Sequence, residues 1–367
     1  MDTPATAAKD KRVEAAISHW APRFVANGVP LTDFTEVTAG CDRWEDWCAA
    51  WSARAAVHEE LGNQALKDGY KLSAGEHYTR AAVCYHFGKF LFVNDTQQMK
   101  QAHRKAVECR NKALPLLDPP GERVAIPYEG KHLYGNLRKP KGAARPPLVV
   151  MCMGLDSTKE EMDDYENRFL RRGLATLAFD GPGQGEAEYD FAILPEYEKP
   201  VKAVIDFVET RKDLDAGRVG IWGVSFGGYY APRAAAFDKR IKACIALSGA
   251  YQRSASFEGR PIINVEAFRV RSKSASLEEA GKVALRVSLK GIAKNITCPI
   301  YIVAGTQDRL TPVDAARQLA AEVAGPCVLD IVEGGNHVVN NLWYRYRDQT
   351  ADWMAVRLGA PKAHLTT

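Results

Sequence analysis

RVGIWGVSFGGYYA, residues 218–231, joins a short β-rich run to the start of a helix through Gly223-Val224-Ser225-Phe226-Gly227. Glycines two positions to either side of a serine let the chain turn sharply without Cβ collisions. The hydroxyl is then exposed at the tip of the turn. Glycine-rich strand-to-helix turns with an inert serine carry the same G-x-S-x-G string, so its meaning depends on what surrounds it.

Working outward from this turn, β-rich runs alternate with helical ones. Before it come GERVAIPY, KHLYGNLRK, PPLVVMCMG, a helix near 159–172, LATLAFD and a helix near 195–211. After it come a helix from 226, IKACIALSG, a less regular lid-like insertion over 251–292, CPIYIVAGTQD, a helix from about 312, CVLDIVEGGNH and a final helix near 340–358. Strands separated by crossover helices predict an α/β domain whose mostly parallel sheet is covered on both faces. The first two runs are close enough in sequence to pair antiparallel at one edge.

The N-terminal third reads differently. Trp44, Trp47, Cys48, Trp51 and Ala55 follow helical spacing and place three indoles on one face. The stretch AGEHYTRAAVCYHFGKFLF (74–92) is apolar around more of its circumference and predicts the most buried helix. Asp95 is placed to cap the next helix, and LDPPGE (117–122) breaks the pattern. This divides the chain into an all-α cap domain, 1–120, and a catalytic domain, 121–367.

Composition narrows the function classes. A formal charge of +4 in 367 residues offers no basic surface for nucleic acid, and no apolar run is long enough to span a membrane. The polar N-terminus does not read as a secretory signal. Eight scattered cysteines without C-x-x-C spacing predict reduced thiols in a cytoplasmic protein rather than disulfides or a metal site.

A serine hydroxyl becomes a useful nucleophile when a base removes its proton and an acid orients that base. Asp308 closes the strand CPIYIVAGTQD, and His337 follows the strand CVLDIVEGGN. With Ser225 they stand in the order nucleophile, acid, base at the ends of predicted strands. An oxyanion hole requires two backbone N–H donors. Phe226, directly after the serine, and Leu155, after the strand ending at Gly154, are the candidates, with Asp156 and Ser157 expected to cap the following helix. FDGPGQGE (179–186) lacks the spacing of a dinucleotide fingerprint and reads as a tight turn below the site.

The strings MGLDSTKEE, FDGPGQGE, GVSFGGYYA, AGTQDRLTP and EGGNH together resemble one branch of the α/β-hydrolase superfamily. That branch contains 2,6-dihydroxypseudooxynicotine hydrolase, fungal chain-shortening hydrolases of melanin-precursor biosynthesis and FrsA-like esterases. The resemblance covers essentially the whole chain. It implies a serine hydrolase with a helical cap, no metal or organic cofactor, a small aromatic substrate, and in many members a homodimer. Some members cleave a carbon–carbon bond beside a ketone, and the resemblance implies an auxiliary carboxylate after the sixth strand, for which Glu258 stands nearest. Carboxylester or lactone hydrolysis by the same three residues is the alternative. Trp47, Tyr85 and His86 are candidates to line an aromatic-binding pocket under the cap. A further alternative is a docking module, because residues 65–91 have the small/aromatic spacing of tetratricopeptide helices.

Overall fold

The computed structural model describes residues 9–254 and 256–360. Five helices come first: α1 (Lys11–Ala26), α2 (Leu31–Ala39), α3 (Trp47–Lys67), α4 (Lys71–Lys89) and α5 (Thr96–Ala113). The predicted indole-bearing helix begins slightly later than its pattern. Trp44 lies in a short 3₁₀ turn, and its ring stacks on Trp47 at 5.1 Å between centroids. Asp95 caps α5 by accepting from the backbone N–H groups of Gln97 and Gln98 at 3.0 and 2.9 Å. The centre of the helical domain is aromatic, with Phe24 stacked on Phe87 at 3.7 Å. Residues 81–93 of α4 and the turn after it are buried throughout.

The second layer system is an eight-stranded sheet: β1 (Gly121–Tyr128), β2 (Lys131–Arg138), β3 (Leu148–Cys152), β4 (Ala175–Phe179), β5 (Val219–Val224), β6 (Ile241–Leu247), β7 (Ile300–Gly305) and β8 (Cys327–Val332). Their spatial order is β1-β2-β4-β3-β5-β6-β7-β8. β1 and β2 form an antiparallel hairpin that joins β4 antiparallel, and the remaining pairs are parallel. Because side chains alternate along a strand, Val150, Cys152 and Ile221 enter one core while Val149, Met151 and Trp222 enter the core on the other face. Helices α6 (Asp163–Leu170), α7 (Glu198–Thr210), α8 (Gly227–Phe237), α11 (Val313–Glu322) and α12 (Arg347–Arg357) cover those faces.

The segment 251–292 corrects one expectation. Rather than an irregular insertion, it contains α9 (Ile262–Arg271) and α10 (Leu277–Leu285). Ile263 and Ala267 of α9 belong to the apolar core of the helical domain, while Phe268 packs into the core under the sheet. The segment thus brackets cap to sheet, a long-range burial that no local periodicity reports.

Charge also joins the two layers. Lys89 of α4 lies 2.8 Å from Glu188, Arg110 of α5 lies 2.9 Å from Asp163, and Arg23 of α1 lies 2.6 Å from Glu161. Asn27 donates to the same Glu161 carboxylate at 2.6 Å. Buried pairs of this kind add little over a well-packed apolar contact, but removing one partner strands a buried charge at a cost of about 3–5 kcal/mol. They select one docking geometry for the cap.

Burial alone would raise the Glu161 carboxyl, yet Arg23 and the adjacent His86 hold it far below the usual carboxylate range. A carboxyl depressed in the folded state contributes fully above its unfolded value of about 4.3, and that contribution is lost as pH falls below it. Glu161→Gln is expected to lower the melting temperature at pH 7, with the gap to wild type narrowing between about pH 5 and pH 3. A gap that stays constant across that range in thermal melts would remove Glu161 ionisation from cap docking.

Candidate active site

The turn that places Ser225 is forced by close approach. Ser225 has φ +57°, in the left-handed region, and its N–H donates to the Leu247 carbonyl at 2.8 Å. A Cβ on Gly223 would lie 1.9 Å from the Gly227 carbonyl oxygen, and one on Gly227 would lie 2.1 Å from that of Cys152. Both glycines of the motif are therefore sterically required, and the hydroxyl stands at the mouth of β5.

His337 and Asp308 meet it there. His337 Nε2 lies 2.7 Å from Ser225 Oγ, and His337 Nδ1 lies 2.8 Å from Asp308 Oδ2. The Asp308 carboxylate is buried and also accepts from the backbone N–H groups of Leu310 and Thr311 at 2.8 and 2.9 Å. Just beyond the histidine, Val338 and Val339 have φ +61° and +55°, a conformation that β-branched residues rarely adopt. Val338 is held there by donating its N–H to Ser248 Oγ at 3.0 Å. These left-handed residues redirect the chain directly after the imidazole, so the expected helix from 340 begins as a kinked 3₁₀ stretch before α12.

The loop after β3 is held from below and above. Gln184, in the FDGPGQGE turn, donates through Nε2 to the carbonyls of Met153 and Gly154 at 2.6 and 2.8 Å. Its own carbonyl accepts from the Tyr197 hydroxyl at 2.6 Å. In a trans peptide the C=O and the following N–H point in opposite directions. Fixing Gly154 C=O on Gln184 thus turns the Leu155 N–H away from Gln184, and Leu155 lines the cavity at the Ser225 hydroxyl. Neither Leu155 N–H nor Phe226 N–H has an acceptor among the described residues. Beneath the loop, Lys159 is fully buried and pairs with Asp180, Glu160 and Glu186 at 2.6–2.8 Å. Burial would lower its ammonium pKa, but these three carboxylates raise it. Asp156 and Ser157 are not helix caps: both bind the Arg23 guanidinium of the cap, at 2.9 and 3.0 Å.

Four other expected site residues lie elsewhere. Trp47 is buried in the cap core and donates its indole N–H to Phe87 O at 2.9 Å. Tyr85 donates to Glu59 at 3.2 Å. His86 is enclosed between Thr158, at 3.0 Å, and the Glu161 carboxylate, at 3.2 Å. Glu258 is exposed in a turn and borders neither cavity at Ser225. Helical spacing identified the cap's apolar stripe, and that stripe serves its own core. The cap residues that do reach the cavity under α1 are Trp20 and Arg23 of that helix and Asn27 just after it. Trp20 lies outside the stripe of Trp44, Trp47 and Trp51, and nothing in its local sequence sets it apart.

Two cavities of about 30 Å³ each flank Ser225, one under α1 and one facing Arg253 and Arg260, and both are bordered by Asn264 and Leu310. A wider vestibule of about 740 Å³ opens outside His337 beneath His19 and Trp20. Two groups of side chains are close enough to share a cation: Asp33 with His58 and Cys84, and His103 with Glu160 and Asp180. Each group already contains a carboxylate paired with a protein cation, Asp33 with Arg54 and Asp180 with Lys159. No described helix is long and apolar enough to cross a membrane.

The chain as a whole has clear counterparts. The chain is 33% identical over 354 residues to the 2,6-dihydropseudooxynicotine hydrolase of Paenarthrobacter nicotinovorans, covering 95% of this chain and 94% of that protein. The crystal structure of 2,6-dihydroxy-pseudo-oxynicotine hydrolase superposes with a TM-score of 0.84 at 32% identity, covering 92% of this chain and 95% of the other. The α/β hydrolase xenA of Xenoacremonium sinensis is 35% identical over 217 residues, covering 55% of this chain and 51% of that protein. The family described as esterase FrsA-like matches residues 33–359. With the sheet order, the serine turn and the helical cap in place, this chain belongs to the FrsA-like esterase family of α/β-hydrolases.

Proposed function

We propose that the enzyme is a serine hydrolase that cleaves the carbon–carbon bond beside a ketone in an aromatic or polyketide-type substrate. The observation carrying the reading is the continuous hydrogen-bonded line Ser225–His337–Asp308, at 2.7 and 2.8 Å, with two unaccepted N–H groups beside it. His337 takes the Ser225 proton as Oγ attacks the carbonyl carbon, and Asp308 stabilises the imidazolium. The Leu155 and Phe226 N–H groups receive the oxyanion. On collapse the C–C electron pair leaves as a carbanion delocalised into a ring or second carbonyl, and His337 delivers its proton to that carbon. Water deprotonated by His337 then attacks the acyl-enzyme, the acid leaves, and Ser225 regains its proton. Similarity along almost the whole length of 2,6-dihydropseudooxynicotine hydrolase favours this leaving group.

A second reading, carboxylester or lactone hydrolysis, uses the same groups with an alkoxide leaving. The esterase description of the family favours it. Gln184 serves either chemistry as a positioning residue, because it aims the Leu155 N–H.

Ser225→Ala is expected to abolish labelling by a fluorophosphonate probe and to reduce kcat by at least about 10⁴-fold. Labelling that persists in this variant would displace Ser225 as nucleophile. Matched aryl ketone and aryl ester substrates separate the two readings: turnover of the ester alone selects the second. Gln184→Leu is expected to lower kcat roughly 10–100-fold while KM moves less than about threefold, since a lost oxyanion donor costs about 100–1,000-fold. A KM effect with unchanged kcat would instead assign Gln184 to substrate binding.

A further inference from the structure

Arg253 and Arg260 reach the second Ser225 cavity from the segment between β6 and α9. Arg253 is 8% exposed, and its guanidinium lies over two rings, 5.1 Å from the Phe226 centroid and 4.8 Å from that of Phe268. The aromatic faces accommodate the cation but offer no acceptors to its N–H edge. Among the described residues, neither Arg253 nor Arg260 has a carboxylate within 4.0 Å or a side-chain hydrogen bond. Other buried guanidiniums in this protein are matched: Arg23 by Asp156 and Glu161, Arg110 by Asp163 and Glu166, Arg347 by Asp164. Burial, with the like charge of Arg260, pushes the Arg253 guanidinium down to about 9. Arg260 is also lowered by burial, despite the Asp308 carboxylate nearby.

A buried guanidinium beside a half-buried one, both without a described partner and both bordering the cavity at Ser225, points to a partner that arrives with a ligand. The same cavity is bordered by Ser225, His337 and Phe226, so that ligand group lies on the molecule being cut. We propose that Arg253 and Arg260 form an anion subsite that binds a carboxylate of the substrate next to the carbonyl attacked by Ser225. A carboxylate has two oxygens, enough to accept from both guanidiniums, and the planar guanidinium fork matches it. The substrate is accordingly a keto acid or an acidic half-ester rather than a neutral ketone or ester. This assignment rests on the hydrolase reading above and specifies the substrate class of that site.

The test uses two esters of equal chain length, the 4-nitrophenyl half-ester of glutaric acid and 4-nitrophenyl pentanoate. In the wild type kcat/KM is expected to favour the acidic ester. The ratio between the two is expected to collapse roughly 10–100-fold in Arg253→Met and Arg260→Met, the scale of a lost charge-assisted hydrogen bond. Arg260→Lys should retain part of the preference. An unchanged ratio overturns the proposal, including the case where both esters slow equally, because the arginines would then support the turn or the oxyanion. Arg260 is the less buried of the two, so its variant keeps the test open if Arg253→Met does not fold.

Binding gives a readout independent of turnover. In Ser225→Ala protein, calorimetry with glutarate monoamide should show binding weakened roughly 10–100-fold by Arg260→Met. If neither ester nor the matched aryl ketone is hydrolysed but this loss is seen, the hydrolase reading fails and the anion subsite stands. If hydrolysis is normal and the amide binds both proteins alike, the subsite alone fails.

Discussion

The Gly154–Leu155 peptide is the constraint on which the site depends. Its carbonyl is held by Gln184, and the next carbonyl, that of Leu155, accepts from Arg271 of α9. Planarity converts these grips into a direction for the Leu155 N–H. Gln184 is in turn fixed by Tyr197 and by the Gly181 N–H, and Arg271 also donates to Phe90 O at the end of α4. The donor beside the serine is thus set by the sheet, the FDGPGQGE turn, α9 and the cap together. The loop is gripped at successive carbonyls by side chains from separate segments.

The cap is tied to the sheet by polar and charged contacts as well as by apolar ones. Arg23 spans Asp156, Ser157 and Glu161, all on the loop that follows Leu155. Arg347 at the start of α12 donates to Ala26 O and Asn27 at the end of α1, and lies 3.8 Å over the Tyr165 ring. Buried ion pairs contribute geometry more than net stability. Here they register α1, which carries Trp20 to the cavity, against the loop carrying the candidate oxyanion donor. Trp20, Arg23 and Asn27 thereby wall one of the two cavities at Ser225.

Much of the site was legible because strand ends and tight turns write themselves into local sequence. Gly223 and Gly227 are demanded by backbone contacts within a few residues and across one strand pair. Asp308 and His337 each end a recognisable apolar run. The strings LDSTKEE and FDGPGQGE could be read as conserved in type with a family, but not as partners. Their meaning is the contact of Lys159 with Asp180 and Glu186, between segments that fold against each other. Glu258, in the string SGAYQRSASFEGRP, is exposed, whereas Arg253 and Arg260 of the same string border the cavity at the serine.

The amino-acid sequence alone determined the layered α/β architecture, the helical cap, the serine turn and the order of serine, acid and base. Each of these is encoded by periodicity, turn chemistry or glycine sterics acting over a few residues. Tertiary structure decided which aromatic residues form the cap core and which one reaches the cavity, since helical faces of identical spacing bury against different neighbours. It also decided which charges are matched. Asp156 and Ser157 find Arg23 far away in the chain, while Arg253 meets two phenylalanine rings and no described carboxylate. Pairing of buried charge is a property of three-dimensional proximity, and no local pattern in the chain reports it.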